Sequence, residues 1–344
     1  MNDSAKIRAR ASSTGRITLD DVALKVGTSS ITVSRAFRKP DLVSEELRAN
    51  IYRVANELGY VPNRAASSLA SSKSMNIAVI VPSLTNSVFV DAINGIEKTL
   101  RPKGYEMLLG ISGYSSDEED ALLRAYMAFD PDGIILTGIN YRDDVRRRVE
   151  RARIPVVHMM EVSNNTGIYC VGFSQEAAAE AMTLHLLKQG YKRIAFVASQ
   201  LDGRTLARNR GYRDTLIRAG VYDSNRELLV PEPSSIGLGS VLLERMLQQA
   251  PDCDAIFFCN DDLAHGALFA CQRMGIAVPA QLAISGFNDL PASAHIVPSL
   301  TTVATPRFEI GVKSAQMLLG LMEGHRPTRT SIDVGFELKP RESA

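Results

Sequence analysis

The sequence lacks long apolar runs and any N-terminal apolar segment. No stretch of about 18 apolar residues occurs, so no membrane-spanning helix and no membrane partner are predicted. The first 16 residues are polar, so a secretory signal peptide is not expected. They are predicted to form a disordered basic arm, residues 1–16. These absences favour a cytoplasmic protein.

Cysteine and histidine are sparse and scattered. The five histidines stand singly, without the spacing of a metal-binding motif such as H-E-x-x-H. No two cysteines form a C-x-x-C pair, and most of them have apolar neighbours. We therefore predict buried, reduced thiols, no metal site and no cofactor. The cysteines are Cys170, Cys253, Cys259 and Cys271.

Sequence signatures of nucleotide binding and of common hydrolases are also absent. No G-x-G-x-x-G follows a predicted strand, and neither a Walker A sequence nor a G-x-S-x-G elbow occurs. Since no catalytic constellation can be assembled from the motifs, we expect a protein that is not an enzyme.

The near-neutral total charge conceals an uneven distribution. Residues 1–75 contain 12 Lys/Arg and 7 Asp/Glu, a net charge of +5, whereas the remainder contains 27 and 31, a net charge of −4. A basic first segment joined to a mildly acidic body indicates that the first segment meets phosphates and the body does not.

Residues 17–61 carry the pattern of a helix-turn-helix domain. Apolar residues occur at helical spacing in LDDVALKV, Gly27 interrupts the pattern, and a second short amphipathic segment follows in SSITVSRAF. Two such helices place the second one in a DNA major groove, which is about 12 Å wide. A third helix over 44–58 would close the small core with Val43, Leu47, Ile51, Val54 and Leu58.

The second helix should carry the side chains that contact DNA. Arg35 is the main candidate for base reading, because a guanidinium matches guanine O6 and N7; a phosphate contact is the alternative. Ile31 is predicted to be exposed, and a thymine methyl would be its natural partner. Further candidates for contact with bases or phosphates are Thr18, Ser29, Ser30, Thr32 and Ser34.

Residues 62–74 predict a weak hinge helix and linker. After Pro62 the sequence NRAASSLASSKS consists mostly of small residues, so it should become ordered only on contact. A flexible linker does not require a large apolar side chain such as Leu69. In a minor-groove helix, Leu69 would insert between base pairs and bend the duplex. Asn63 and Arg64 are additional candidate DNA contacts.

Residues 75–344 alternate between strands and helices in two successive sets. This pattern predicts two lobes, each with a parallel sheet covered on both faces, and a ligand cleft between them. The predicted strands are 76–82, 106–111, 133–137, 155–160, 193–199, 255–259 and 282–287. The predicted helices are 88–102, 117–129, 141–152, 176–189, 207–219, 240–249 and 263–274.

Polar and aromatic residues follow several of these strands, where a ligand would be met. Each one alone has another explanation as a cap, a surface ion pair or a turn residue, and Asp261 and Asp262 are candidate caps of a helix. The candidate ligand residues are Ser83, Asn86, Phe89, Arg204, Arg208, Arg210, Asn260, Asp261, Asn288 and Asp289.

Over nearly its whole length the chain resembles the LacI/GalR family of bacterial repressors. The resemblance is carried by TLDDVALKVGTSSITVSRAF and VSEELRANIYRVANELGYVPNRAASSLAS, and it extends through the body to about residue 340. It implies that Arg35 reads bases, that Leu69 enters the minor groove at a central C-G step, and that the body is a two-lobed core like that of periplasmic binding proteins. Ser30 and Ile31 hold positions that vary between members.

The resemblance also implies where an effector binds. Arg208 matches the family's central effector-binding arginine, Asn260 matches its asparagine, and Phe173 matches an effector-facing aromatic residue. Asn288 stands where many members that bind neutral sugars have an aspartate. We therefore expect an anionic ligand that meets Arg208, with Arg204 as an additional cation and without a nearby opposing charge.

The sequence thus predicts a homodimeric transcriptional repressor that binds a near-palindromic operator and is released by a small-molecule effector. PSLTNSVF, GRTLARNRGY and CNDDLAHGA look most like the gluconate-utilisation repressors of the family. The C-terminal sequence lacks leucine heptads, so a dimer is expected. Open alternatives are 2-ketogluconate or another sugar as effector, and a ligand that acts as corepressor. A solute-binding protein would share only the body.

Overall fold

The computed structural model describes residues 17–62, 73–85, 87–139 and 143–344. The chain divides into two compact units, Met1–Ser74 and Met75–Ala344. The predicted basic arm and the hinge residues Asn63, Arg64 and Leu69 lie outside the described residues, as does Asn86.

The described part of the first unit contains three α-helices with well-defined ends. Thr18 caps the first helix in a reciprocal capping box, in which the Asp21 carboxylate accepts from the Thr18 backbone N–H at 2.7 Å. Gly27 ends this helix with a left-handed φ of 81°. The Ser29 hydroxyl caps the second helix by accepting from the Thr32 N–H at 3.1 Å. The helices are α1 (Leu19–Val26), α2 (Ser30–Arg38) and α3 (Glu45–Leu58).

A small apolar core holds these three helices together. Val22, Val33 and Ile51 are fully buried at its centre. The Phe37 ring packs on Tyr52, with ring centroids 5.2 Å apart. The predicted stripe along α3 faces this core: Val43, Ile51 and Val54 are buried, and Leu47 and Leu58 pack against them.

The second unit contains two lobes, each built on a parallel sheet. The strand order of the first sheet is β11-β5-β4-β3-β1-β2, and that of the second is β7-β6-β8-β9. The first-lobe strands are β1 (Asn76–Val81), β2 (Glu106–Ile111), β3 (Gly133–Thr137), β4 (Val156–Met159), β5 (Cys170–Gly172) and β11 (Ser331–Asp333); the second-lobe strands are β6 (Ile194–Ala198), β7 (Glu227–Leu229), β8 (Ala255–Phe258) and β9 (Ala283–Ser285).

Helices cover the faces of both sheets. The first lobe has α4 (Ser87–Leu100), α5 (Ser116–Met127), α6 (Asp143–Ala152) and α11 (Arg307–Met322); the second has α7 (Gln175–Lys188), α8 (Gly203–Arg218), α9 (Ile236–Gln249) and α10 (Asp261–Met274). The chain passes between the lobes after β5, after β10 (Thr302–Ala304) and after β11. Near these crossings β10 pairs antiparallel with β12 (Glu337–Lys339). The three crossings form a hinge beside the cleft.

Two helices begin four residues earlier than the sequence pattern predicts. We expected helices over 207–219 and 240–249, but α8 begins at Gly203 and α9 at Ile236. In each case a polar cap directly precedes the first residue: Asp202 accepts from a backbone N–H of α8, and Ser235 does so for α9. Glycines in the first turns hide these starts in the sequence. The caps fix the helix ends that face the cleft.

The buried thiols agree with the prediction from the sequence. All four cysteines are buried and unbridged.

Among the described residues, no helix is both long enough and apolar enough to cross a lipid bilayer.

Candidate functional site

A small cavity lies in the cleft between the two lobes of the second unit. Its volume of about 50 Å³ leaves room for only a few waters, each of which needs about 10–15 Å³ by this measure. Six residues predicted from the sequence line this cavity together: Phe89, Phe173, Arg204, Arg208, Asn260 and Asn288. Lining residues that the sequence analysis missed include Tyr114, Gln175, Gln200, Asp202, Ser234 and Thr305.

Arg208 is a buried cation whose hydrogen-bond acceptors are both uncharged. Its Nε donates to Gln175 Oε1 at 2.8 Å, and its Nη1 donates to the carbonyl oxygen of Cys259 at 2.6 Å. The guanidinium also stacks over the Phe287 ring, 3.8 Å from the ring centroid. Burial lowers the pKa of Arg208 to about 10, so the group stays charged at neutral pH. The cleft therefore holds a cation without a bonded carboxylate.

Gln175 fixes the orientation of Arg208. It lies in the first turn of α7, and Ser174 caps that helix. Its amide nitrogen donates to the carbonyl oxygen of Met160 at 2.9 Å, while its amide oxygen accepts from Arg208. Because Met160 follows β4 of the first lobe, Gln175 joins the arginine of the second lobe to the first.

Arg204, by contrast, is paired with a carboxylate. Its Nε donates to Asp202 Oδ2 at 3.1 Å, and its Nη2 donates to the same oxygen. The other oxygen of Asp202 caps α8 by accepting from the Thr205 N–H at 2.9 Å. Burial opposes ionisation of Asp202, but the charge and hydrogen bonds of Arg204 outweigh it and lower the pKa of the carboxyl. Arg204 also lies over the Phe89 ring, 5.3 Å from its centroid.

The expectation of a cleft without an opposing charge is therefore wrong. Asn288 lines the cavity, but Asp202 supplies a carboxylate from the start of α8. A second carboxyl, Glu161, follows β4 close enough to interact with both arginines; burial raises its pKa, and its Oε2 accepts from the Ile139 N–H at 3.1 Å. The sequence signal that could have revealed Asp202 is its position directly before G-R-T, because aspartate is a favoured helix cap.

Asn260 and Asn288 are held in place by the backbone of the second lobe. Asn260 caps α10, because its Oδ1 accepts from the Leu263 N–H at 3.0 Å; its Nδ2 donates to the Ser234 hydroxyl at 2.9 Å. The Asn288 N–H donates to the Val303 carbonyl at 2.8 Å. Both amides line the cavity with donors and acceptors suited to hydroxyl groups.

Asp261 is neither a cap nor a lining residue, so both of its predicted roles are wrong. It is fully buried in the first turn of α10, where the preceding asparagine already caps the helix. Its carboxylate accepts from Thr302 Oγ1 at 2.6 Å, from the Leu290 N–H at 2.7 Å and from Ser293 Oγ at 2.8 Å. Asp261 thus anchors the segment that carries Asn288.

Other predicted ligand residues lie away from the small cavity. Ser83 lines an adjoining outer cavity of about 430 Å³, which shares Tyr114, Gln200 and Ser234 with the inner one. Arg210 is exposed and pairs with Glu176 at 3.4 Å. Asp289 pairs with Arg341 at 2.8 Å. Four of the polar residues predicted to bind a ligand therefore line the small cavity, which we call the inner cavity.

In the first unit, α2 exposes the two residues predicted to contact bases. Ile31 is 69% exposed, as predicted, and Arg35 is exposed as well. The ion pairs of the described part of this unit join Glu57 to Lys25 and Arg53 and leave Arg35 out.

Several predicted DNA-contacting hydroxyl groups of the first unit already form hydrogen bonds within the protein. Ser30 donates to Asp20, the Ser29 and Thr32 hydroxyls lie 2.9 Å apart, and the Thr18 hydroxyl donates to Asp21. Ser34 is half-buried. Contacts of these hydroxyls with DNA stay predictions.

Comparisons with known proteins agree with this two-part organisation. Residues 18–63 match the family of bacterial regulatory proteins, lacI family, and residues 74–339 match the periplasmic binding proteins and sugar binding domain of LacI family. The HTH-type transcriptional regulator GntR of Pseudomonas aeruginosa is 47% identical over 96% of each chain.

Solved structures similar to the chain include a GntR regulator and a lac repressor. The crystal structure of the transcription regulator GntR from Chromobacterium violaceum has a TM-score of 0.76 at 48% identity, covering 78% of this chain and 98% of that one. A lac repressor dimer bound to operator and the anti-inducer ONPF has a TM-score of 0.83 at 26% identity, covering 95% of this chain and 99% of that one.

Proposed function

The chain belongs to the LacI family of bacterial transcriptional regulators, and we propose that its effector is a sugar acid, gluconate or a related aldonate. It is a helix-turn-helix repressor, and its relatives are transcriptional regulators rather than enzymes. In this proposal the acid binds in the inner cleft and releases the repressor from genes for sugar-acid metabolism. Because a transcriptional regulator acts where the DNA lies, we also propose a cytoplasmic location.

The observation that carries the proposal is that both hydrogen-bond acceptors of Arg208 are uncharged. A buried guanidinium that gives its hydrogen bonds to an amide and a carbonyl has lost the strong solvation of water. A ligand carboxylate would replace that solvation with a charge-assisted hydrogen bond. A neutral sugar offers no such compensation, so the cleft favours an acid.

The rest of the lining suits a polyol chain. Asn260 and Asn288 offer amide groups, and the hydroxyl oxygen of Thr305 is buried without a partner among the described residues. Hydroxyls of the ligand would satisfy these atoms. Since a six-carbon acid is larger than the present cavity, binding requires the lobes to part or Arg204 and Phe89 to move. The outer cavity that includes Ser83 is the route of entry.

The DNA-binding part of the proposal rests on the exposed face of α2. Arg35 and Ile31 would contact base edges, and Thr18, Ser29, Ser30, Thr32 and Ser34 would contact phosphates or bases. From the family resemblance, we assign Asn63, Arg64 and Leu69 to minor-groove contacts. The lac repressor in the structural match is a dimer on its operator; by analogy, a homodimer on a near-palindromic site is proposed here.

Calorimetry on the purified protein with gluconate, 2-ketogluconate and glucose tests the effector. We expect gluconate to bind, glucose to bind at least about tenfold more weakly, and Arg208→Gln to reduce gluconate affinity about 10- to 100-fold, because a charge-assisted hydrogen bond contributes about 1.5–3 kcal/mol. Tighter binding of 2-ketogluconate would name that acid as effector.

Arg210→Gln is the matched control, since it removes an exposed arginine from the same helix. It should leave gluconate affinity unchanged. Equal affinity for glucose and gluconate, or normal acid binding by the Arg208 variant, would contradict the proposal.

A further inference from the structure

The charges that line the inner cleft do not cancel, and we infer that Asp202 restricts the effector to acids with a single carboxylate. This inference rests on the proposed sugar-acid function. The described lining contains two guanidinium groups, Arg204 and Arg208, and one carboxylate, Asp202. Since Asp202 and Arg204 are bonded to each other, the lining cation without a bonded carboxylate is Arg208. Glu161 interacts with both arginines, but burial raises its pKa and so disfavours its negative charge. One ligand carboxylate balances the charge of Arg208.

Asp202 cannot turn away from the cleft. Its Oδ1 is tied to the Thr205 N–H at 2.9 Å as the cap of α8, and its Oδ2 accepts from Arg204. The charge of Arg204 keeps the pKa of this carboxyl below its ordinary value, so the group stays ionised at neutral pH. A fixed negative charge is therefore part of the cavity wall.

A second ligand carboxylate would have no cation of its own. Arg204 is already committed to Asp202, and Arg208 would hold the first carboxylate. Asp202 is fixed in the cavity wall as the cap of α8, so a second carboxylate at the far end of the ligand would meet its charge even after the cavity enlarges. Like charges in a poorly solvated cleft repel strongly. An aldonate, which has a hydroxyl at its far end, fits; the matching aldarate, with a carboxylate at both ends, does not.

The Asp202–Arg204 pair also complements the hydroxyl end of an aldonate. The carboxylate accepts hydrogen bonds from hydroxyls, whereas the guanidinium donates to them. Arg204 is held against the Phe89 ring of the first lobe, so the pair lies where the two lobes meet. Asp202 is thus a specificity residue for the far end of the ligand, and Arg208 is the receptor for its carboxylate.

Calorimetry with gluconate and glucarate on the wild-type protein and on Asp202→Asn tests this inference. Asparagine also caps helices well, so α8 should be retained. We expect wild type to prefer gluconate by about tenfold or more. Asp202→Asn leaves Arg204 without its carboxylate, so the preference should shrink by about tenfold or reverse in favour of glucarate.

Asp223→Asn is the matched control, because Asp223 also caps a short helix and pairs with an arginine, Arg226, at 2.9 Å. It should keep the wild-type preference. Arg204→Gln provides a second variant: it leaves Asp202 unbalanced, so gluconate affinity should fall about tenfold.

Equal wild-type affinity for the two acids would overturn the inference while leaving the sugar-acid function intact. An Asp202→Asn variant that weakens both acids by the same factor would also overturn it, since that is the effect of a purely structural cap. Failure of wild type to bind gluconate at all would overturn the proposed function, and the inference with it.

Discussion

At the scale of single residues, the two arginines of the cleft differ in what each one is bonded to. Arg204 gives both of its hydrogen bonds to one carboxylate, whereas Arg208 gives its own to an amide and a carbonyl. Both residues are 9% exposed, so burial does not distinguish them. Their hydrogen-bond partners do, and for this reason we propose Arg208 as the partner of the ligand carboxylate.

The exposed arginine of α2 leads to a prediction for DNA binding. Arg35→Ala should weaken operator binding by about 1–3 kcal/mol and relax the base preference at one position, because the guanidinium would read a base edge. Binding to a library of operator variants measures both effects. Arg53→Ala, which removes a positive charge from α3, is the control and should leave the base preference intact. An unchanged preference for Arg35→Ala would show that this residue contacts only phosphate.

Residues of the cleft were predictable where they follow a visible strand or match a residue of the family. Arg208 and Asn260 meet both conditions, Phe173 matches the family, and all three line the cavity. Asp202 was missed because D-G-R-T reads as a loop until the helix start is known. Gln175 was missed because a glutamine in a helical stretch carries no signal of its partner, which is thirty-three residues away.

At the scale of elements, α4 and α11 touch through their backbones. A Cβ added to Gly311 would lie 2.0 Å from the carbonyl oxygen of Ala92, and one added to Gly95 would lie 2.2 Å from that of Phe308. Only glycine allows two helices to approach this closely. The contact joins the helix that leaves the hinge to the helix that carries Phe89, so it sets the position of one wall of the cleft.

Gly311→Ala is therefore predicted to destabilise the protein. The added methyl would meet backbone atoms that cannot turn aside, so the free energy of unfolding should fall by about 1–3 kcal/mol. Gly320→Ala lies in the same helix, and a Cβ added there would lie 4.0 Å from the nearest side-chain atom. This substitution should be neutral or stabilising, since alanine favours helix. Thermal unfolding of the two variants measures the difference. Equal stability of the two would contradict the close packing.

The sequence predicted most of the long elements and missed several of the short ones. Buried strands such as β1 and β3 have continuous apolar runs, and their predicted ends agree with the structure to within a residue. Three-residue strands such as β5 and β10 carry too little pattern, because they exist only through pairing with distant strands. The α11 helix was missed as well, since its two glycines weaken the helical pattern.

At the scale of the whole molecule, Arg307 links the two lobes at the hinge. It begins α11, and its Nε donates to the Asp91 carboxylate of α4 at 2.9 Å. Its Nη1 donates to the carbonyl oxygen of Asn288, a lining residue of the second lobe. The guanidinium therefore connects the ligand site to a helix of the other lobe, as a device that couples ligand binding to lobe movement would require.

Breaking this link should reduce coupling more than ligand binding. For Asp91→Asn we expect gluconate affinity to stay within about threefold of wild type, while the ratio of operator affinities without and with gluconate falls about fivefold or more. The two affinities measured on the same variant separate these effects. Lys313→Met, which removes an ion pair within α11, is the control. If the Asp91→Asn variant kept the wild-type ratio of operator affinities, the Arg307 contact would not contribute to the coupling.

The most direct test of the account is the response of operator binding to the acid. Fluorescence anisotropy on an operator selected from random DNA would be measured with gluconate, with glucose, and with neither. We predict that gluconate weakens operator binding about tenfold or more, that glucose does not, and that Arg208→Gln binds the operator normally but ignores gluconate. Unchanged or tighter operator binding in gluconate, or an Arg208→Gln variant that still responds, would contradict release by a sugar acid.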